Sequence, residues 1–158
     1  RLVGAVSPGK ISQRRRNAWP DAETALAHFA RKNAFACWAP QVLQDYIDFA
    51  THDTVTPQGP QRRLSFEREV ETAIYNTLPH NLARLLRRHP LACPVGFLGG
   101  MHSREMQQVG MAMTRQLVGS HHPERLRLLE GTHLFPMEHP LETADAIDCM
   151  LMSLSQPR

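Results

Sequence analysis

The sequence predicts an α/β protein: a doubly wound, mostly parallel sheet of about three strands carrying a large helical insertion. Three observations predict it. Residues 91–158 alternate strand, helix, strand, helix, the βαβ order of a parallel sheet with right-handed crossovers. Their first strand, Pro94-Val95-Gly96-Phe97-Leu98, is nearly continuous apolar sequence, as burial on both faces requires. Residues 13–90 instead carry apolar positions at helical spacing, with no convincing strand.

In chain order, Leu2 to Val6 reads as a core strand closed by a turn at Ser7-Pro8-Gly9, so residues 1–12 are assigned to the sheet. Arg14-Arg15-Arg16 marks a basic loop. Asp21 can cap a helix over roughly 22–32 with Ala25, Leu26 and Phe29 facing inward. Pro40 suits the first turn of a second helix, with Leu43, Tyr46, Ile47 and Ala50 on its apolar face. Asp53, Pro57, Gly59 and Pro60 make 51–65 a loop. Phe66, Val70, Ile74 and Tyr75 define a third helix. Pro79 opens a fourth, striped by Leu82, Leu85 and Leu86.

The strand at 94–98 ends at Gly99-Gly100. One helix is expected from about Arg104, with Met106, Val109, Gly110, Met113 and Leu117 on one face. Leu126-Arg127-Leu128-Leu129 is the next strand, stopped at Gly131. Pro140 starts the last helix, whose stripe is Ala144, Ile147, Leu151 and Leu154.

The chain has 158 residues, suited to one domain or a large piece of one. At 42% hydrophobic and 21% charged, it is not broadly disordered. No apolar run is long enough to span a bilayer. The first six residues lack the layout of a signal peptide. They begin without Met and read as a strand in progress, so a piece of a longer protein is expected. The net charge is +3, and sixteen of the eighteen basic residues are arginine. They are scattered among acids and apolar helices, which reads as solvated surface and not as a nucleic-acid face. Cys37, Cys93 and Cys149 are odd in number and lack C-x-x-C spacing, against a disulfide framework or a zinc knuckle. A reducing, cytoplasmic compartment is the expectation.

Ligands of parallel α/β sheets bind beyond the carboxyl ends of the strands, which singles out loops 99–105 and 130–139. The second loop reads Glu130-Gly131-Thr132-His133-Leu134-Phe135-Pro136-Met137-Glu138-His139 before Pro140. An imidazole there can take a proton from a hydroxyl and pass it to a leaving group, so His133 is the candidate base. Glu105 is the only acid of the first loop. Its structural alternative is a helix-start carboxylate behind a Ser103 cap, favoured by the helix dipole. His121 and His122 with Glu124 make a poor metal site, because adjacent histidines point apart; no metal is expected. No phosphate loop or dinucleotide fingerprint occurs.

The Gly131-x-His133 loop after a terminal strand, with Glu138-x-Pro140 behind it, resembles the catalytic-histidine loop of the α/β-hydrolases. Ser103-x-Glu105, Gln108-Val109-Gly110 and Thr114-Arg115 are similar to a lipase- and esterase-like subgroup with fungal and bacterial members. Some fungal members are peroxisomal, but Ser155-Gln156-Pro157-Arg158 is not a peroxisomal tripeptide. The resemblance implies that His133 is the base of a nucleophile–acid–histidine triad and Glu105 its acid. Arg104 stands where the commoner Ser-Asp pattern puts an aspartate.

It further implies that Leu2–Val6 is the sixth strand, 13–90 a helical cap with its return helix, and 91–158 the C-terminal core. Trp19-Pro20, Trp38 and Glu71-x-x-Ile74-Tyr75 sit where such hydrolases carry similar residues. Trp38 and Phe35 would line the substrate cavity, or else pack within the cap. Tyr46 and Tyr75 are candidate proton donors for epoxide opening. The nucleophile elbow Gly-x-Ser-x-Gly and the oxyanion-hole loop are absent from the sequence.

The expected function is the C-terminal part of a serine hydrolase for a hydrophobic ester, thioester or lactone. It needs no cofactor, and its partner is the missing N-terminal half of the fold. The alternatives are a non-catalytic remnant or interaction module, and an α/β-hydrolase of epoxide or carbon–carbon chemistry.

Overall fold

The computed structural model describes residues 8–77, 81–119 and 121–155. The chain divides into two units, residues 1–36 with 40–80 and residues 37–39 with 81–158. The strand expected at Leu2–Val6 and the helix start at Pro79 lie outside the described residues.

In the first unit, α1 (Pro8–Arg14) begins where a turn was expected and runs into the expected basic loop. Ser12 is buried and its hydroxyl donates to the Gly9 carbonyl at 3.0 Å, with Thr72 Oγ1 2.8 Å away. That contact ties α1 to α4 (Arg68–Asn76). The expected cap is in place: Asp21 Oδ1 accepts the Thr24 N–H at 2.6 Å and starts α2 (Ala22–Ala30). α3 spans Pro40–Ala50 and buries Leu43 and Ile47. Trp19, Phe29 and Ile47 are the largest apolar side chains fully enclosed here.

The expectation of a strandless 13–90 is overturned. β1 (Ala18–Trp19), β2 (Thr51–Thr56) and β3 (Gly59–Leu64) form an antiparallel sheet in the order β1-β3-β2. Segment 51–65, expected as loop, is a hairpin turning at Pro57-Gln58, with Thr56 paired to Gly59 and Thr51 to Leu64. Its residues are mostly polar, so no apolar alternation marks it. Arg62 secures it instead. Its Nε donates to Thr51 Oγ1 at 2.6 Å, one terminal nitrogen donates to the Ile47 carbonyl at 2.8 Å, and the other pairs with Asp53 at 3.2 Å.

In the second unit, α5 (Leu82–Arg88) precedes β4 (Phe97–Gly100). β4 pairs in parallel with β5 (Leu126–Leu129), Phe97 opposite Leu126 and Gly100 opposite Leu129. The strand thus starts three residues later than the apolar run suggests. The single helix expected from Arg104 is two, α6 (Arg104–Val109) and α7 (Ala112–Val118). Gly110 sits at φ +77° between them, a conformation that ends a helix and that glycine adopts without steric cost. A 3₁₀ turn at Pro123–Arg125 leads into β5, α8 (Phe135–Glu138) follows, and α9 (Pro140–Ser155) closes the unit.

The inner face of α9 is not the expected stripe. Thr143, Ala146 and Met150 are buried, while Ile147 is 44% and Leu151 55% exposed. The inner face meets the chain just before β4, where Gly96 leaves room for Met150: a Cβ there would stand 2.5 Å from its sulfur.

Candidate active site

Two loops leave the carboxyl ends of β4 and β5 side by side. Backbone hydrogen bonds join them, Met101 N–H to the Leu129 carbonyl at 2.8 Å and His102 N–H to the Gly131 carbonyl at 2.9 Å. Glycine at position 100 permits this approach, since a Cβ there would lie 1.9 Å from the Thr132 carbonyl oxygen. The loop carrying His133 is braced from behind. Glu138 accepts the Thr132 N–H at 2.8 Å and also the Thr132 hydroxyl. The Thr132 oxygen in turn accepts the Leu134 N–H at 3.2 Å.

Ser103 caps α6, accepting the Met106 N–H at 3.1 Å, and is only 1% exposed. Its hydroxyl donates to Glu105 Oε2 at 3.3 Å, and its oxygen lies 3.4 Å from Nδ1 of His133. Ser103 therefore stands between the two side chains singled out in the sequence. A hydroxyl has one proton and two acceptor lone pairs. The carboxylate can only accept, so the proton goes to Glu105. The lone pairs are left for the Met106 N–H and for an N–H on Nδ1 of His133. That assignment puts the imidazole lone pair on Nε2.

Glu105 and His133 are exposed and line one cavity of about 290 Å³ with Leu98, Met106, Met111 and Phe135. A neighbouring exposed pair, His102 Nε2 and Glu130 Oε1, meets at 2.8 Å.

Phe35 belongs to the first unit, packed against Phe29 and Tyr46 with ring centroids 4.8 and 5.4 Å apart. Burial pushes the Tyr46 hydroxyl pKa up. Tyr75 is exposed on α4. Trp38 belongs to the second unit, half-buried, and is not among the residues lining the cavity of His133. His122 Nδ1 meets Glu124 at 3.1 Å. Among the described residues no three His, Cys, Asp or Glu side chains converge where a metal ion could sit.

Sequence reasoning placed Glu105 and His133 and read Ser103 only as a cap. The available signal was the Ser-x-Glu spacing, which sets the cap hydroxyl beside the acid. Thirty residues separate that hydroxyl from His133, and no local pattern encodes their meeting.

No protein-family model and no curated protein matches the sequence. Among solved structures, the chain superposes on the peroxisomal alpha-beta-hydrolase Lpx1 of Saccharomyces cerevisiae. The TM-score is 0.58 over 94% of this chain, at 15% identity. The fold is α/β-hydrolase-like. The chain spans 39% of the length of that α/β-hydrolase. Among the described residues no helix is long and apolar enough to cross a membrane.

Proposed function

We propose that this chain is the C-terminal portion of an α/β-hydrolase that cleaves a hydrophobic ester, thioester or lactone. It would supply the general base His133 and the acid Glu105. One observation carries the reading: the Glu105–Ser103–His133 chain opens into a largely apolar cavity beyond the carboxyl ends of two parallel strands. With Nδ1 protonated toward Ser103, Nε2 takes the proton of a serine hydroxyl as that oxygen attacks the substrate carbonyl. The imidazolium then formed is stabilised by Glu105 through the polarised Ser103 hydroxyl. In the next half-reaction Nε2 returns the proton to the leaving group. Ser103 itself is not the nucleophile, because it is buried, committed to three partners and on the Nδ1 side of the ring.

The nucleophile and its oxyanion donors would come from the part of the fold that precedes these residues. The test applies a fluorophosphonate probe and p-nitrophenyl butyrate to the 158-residue chain and to a longer polypeptide containing it with a nucleophile elbow. Labelling and turnover are expected only in the longer form, with turnover abolished by His133→Ala. Residual catalysis should be no more than roughly 10³–10⁴-fold over water. Full turnover by His133→Ala would overturn the assignment. Stoichiometric serine labelling in the short chain would overturn the division of labour.

A further inference from the structure

At the opposite end of the same two strands lies a second cavity, of about 520 Å³. Val95 precedes β4, Arg125 precedes β5, and α5, α7 and the segments that follow them supply the remaining walls. Its volume falls within the roughly 300–1,000 Å³ usual for small-molecule sites. Leu86, Leu91 and Leu117 line it, together with Arg87, Arg125 and His122, and among the described residues no Asp or Glu does.

Arg125 is the unusual member. It is only 6% exposed, and its Nε is buried without a hydrogen-bond partner among the described residues. The carboxylate beside it, Glu124 Oε1, is 3.7 Å from that nitrogen, beyond hydrogen-bond range, and is engaged by His122 at 3.1 Å. A buried guanidinium N–H left without an acceptor is costly even beside the Glu124 carboxylate. An anion in the cavity would meet the Arg125 side chain, whose planar guanidinium fork matches a carboxylate.

We propose that this cavity binds an aliphatic carboxylate, its head on Arg125 with Arg87 at the rim and its chain against the leucines. The leucine walls favour a hydrocarbon tail over a bare inorganic anion. The proposal does not rest on the catalytic reading of His133.

Calorimetric titration of the 158-residue chain with octanoate, octanol and inorganic phosphate tests it. Octanoate should bind one to one, with octanol at least about tenfold weaker for want of the charge-assisted contact and phosphate at least about tenfold weaker for want of the hydrocarbon tail. Arg125→Gln should weaken octanoate about tenfold or more. Arg87→Gln, at an exposed position, should weaken it severalfold and keeps the test decisive if the Arg125 variant does not fold. His133→Ala should leave octanoate binding unchanged. Equal binding of octanol would overturn the proposal, as would phosphate binding as tightly as octanoate. So would unchanged affinity in both arginine variants, or loss of octanoate binding in His133→Ala, which would place the ligand in the catalytic cavity.

Discussion

Ser103 shows how much one hydroxyl decides. Its proton, directed to Glu105, fixes the orientation in which its lone pairs meet the Met106 N–H and Nδ1 of His133. Removing it disconnects Glu105 from His133 and uncaps α6 at once. In the longer polypeptide, Ser103→Ala should lower kcat by at least about tenfold with KM little changed. The loss should stay short of the roughly 10⁴-fold that a wrong histidine tautomer costs in a serine-protease triad. The lost cap should cost about 1 kcal/mol of stability. Steady-state kinetics on one ester, paired with thermal melts, separates the two effects. A variant that melts earlier but keeps wild-type kcat would reduce Ser103 to a cap and leave Glu105 unconnected to His133.

Elements were legible where one local signal decides them. Asp21 before an apolar-periodic run gave α2, Pro40 gave α3, and the apolar run ending in Gly99-Gly100 gave β4 to within a few residues. Glu105 and His133 were singled out because each follows a strand end, and both line one cavity. The hairpin β2–β3 was not, because its stability comes from one arginine reaching across three segments rather than from alternation. The break at Gly110 was hidden because Val109 and Met113 keep helical spacing on either side of it. Arg62→Met tests the hairpin account. Arg62 holds Thr51, the Ile47 carbonyl and Asp53 together with a side chain only 12% exposed. Hydrogen bonds from a charged donor contribute about 1.5–3 kcal/mol each to buried partners. The exposed Asp53 arm contributes little. The variant should therefore lose about 3–6 kcal/mol, read by chemical denaturation followed by Trp19 fluorescence. A loss under about 0.5 kcal/mol would mean that backbone pairing alone holds the hairpin.

The whole molecule leaves apolar surface uncovered, and the second unit concentrates it. Its buried hydrophobic residues among those described are Val118, Phe135, Ala146 and Met150. Leu82 and Leu85 on α5, Leu128 on β5, and Leu141, Ile147, Leu151 and Met152 on α9 are exposed. Ala144, Ile147 and Leu151 of the α9 stripe that the sequence marks as core thus face outward, Leu154 being half-buried, while a face containing Thr143 faces in. Periodicity identifies the most apolar face of a helix; which face is buried depends on what surface is present to meet it. An exposed apolar stripe of this kind favours association, since each leucine or isoleucine side chain fully buried contributes about 1.5–3 kcal/mol. The 158-residue chain should therefore scatter light as a species heavier than a monomer, with mass rising with concentration. Ile147→Lys combined with Leu151→Lys should shift it toward monomer without lowering the melting temperature, because both positions are already solvated. If the wild-type chain is instead a cooperatively melting monomer at high concentration, the stripe costs it nothing in water. The chain would then be a self-sufficient module, and the reading of it as half of a larger hydrolase core would fail.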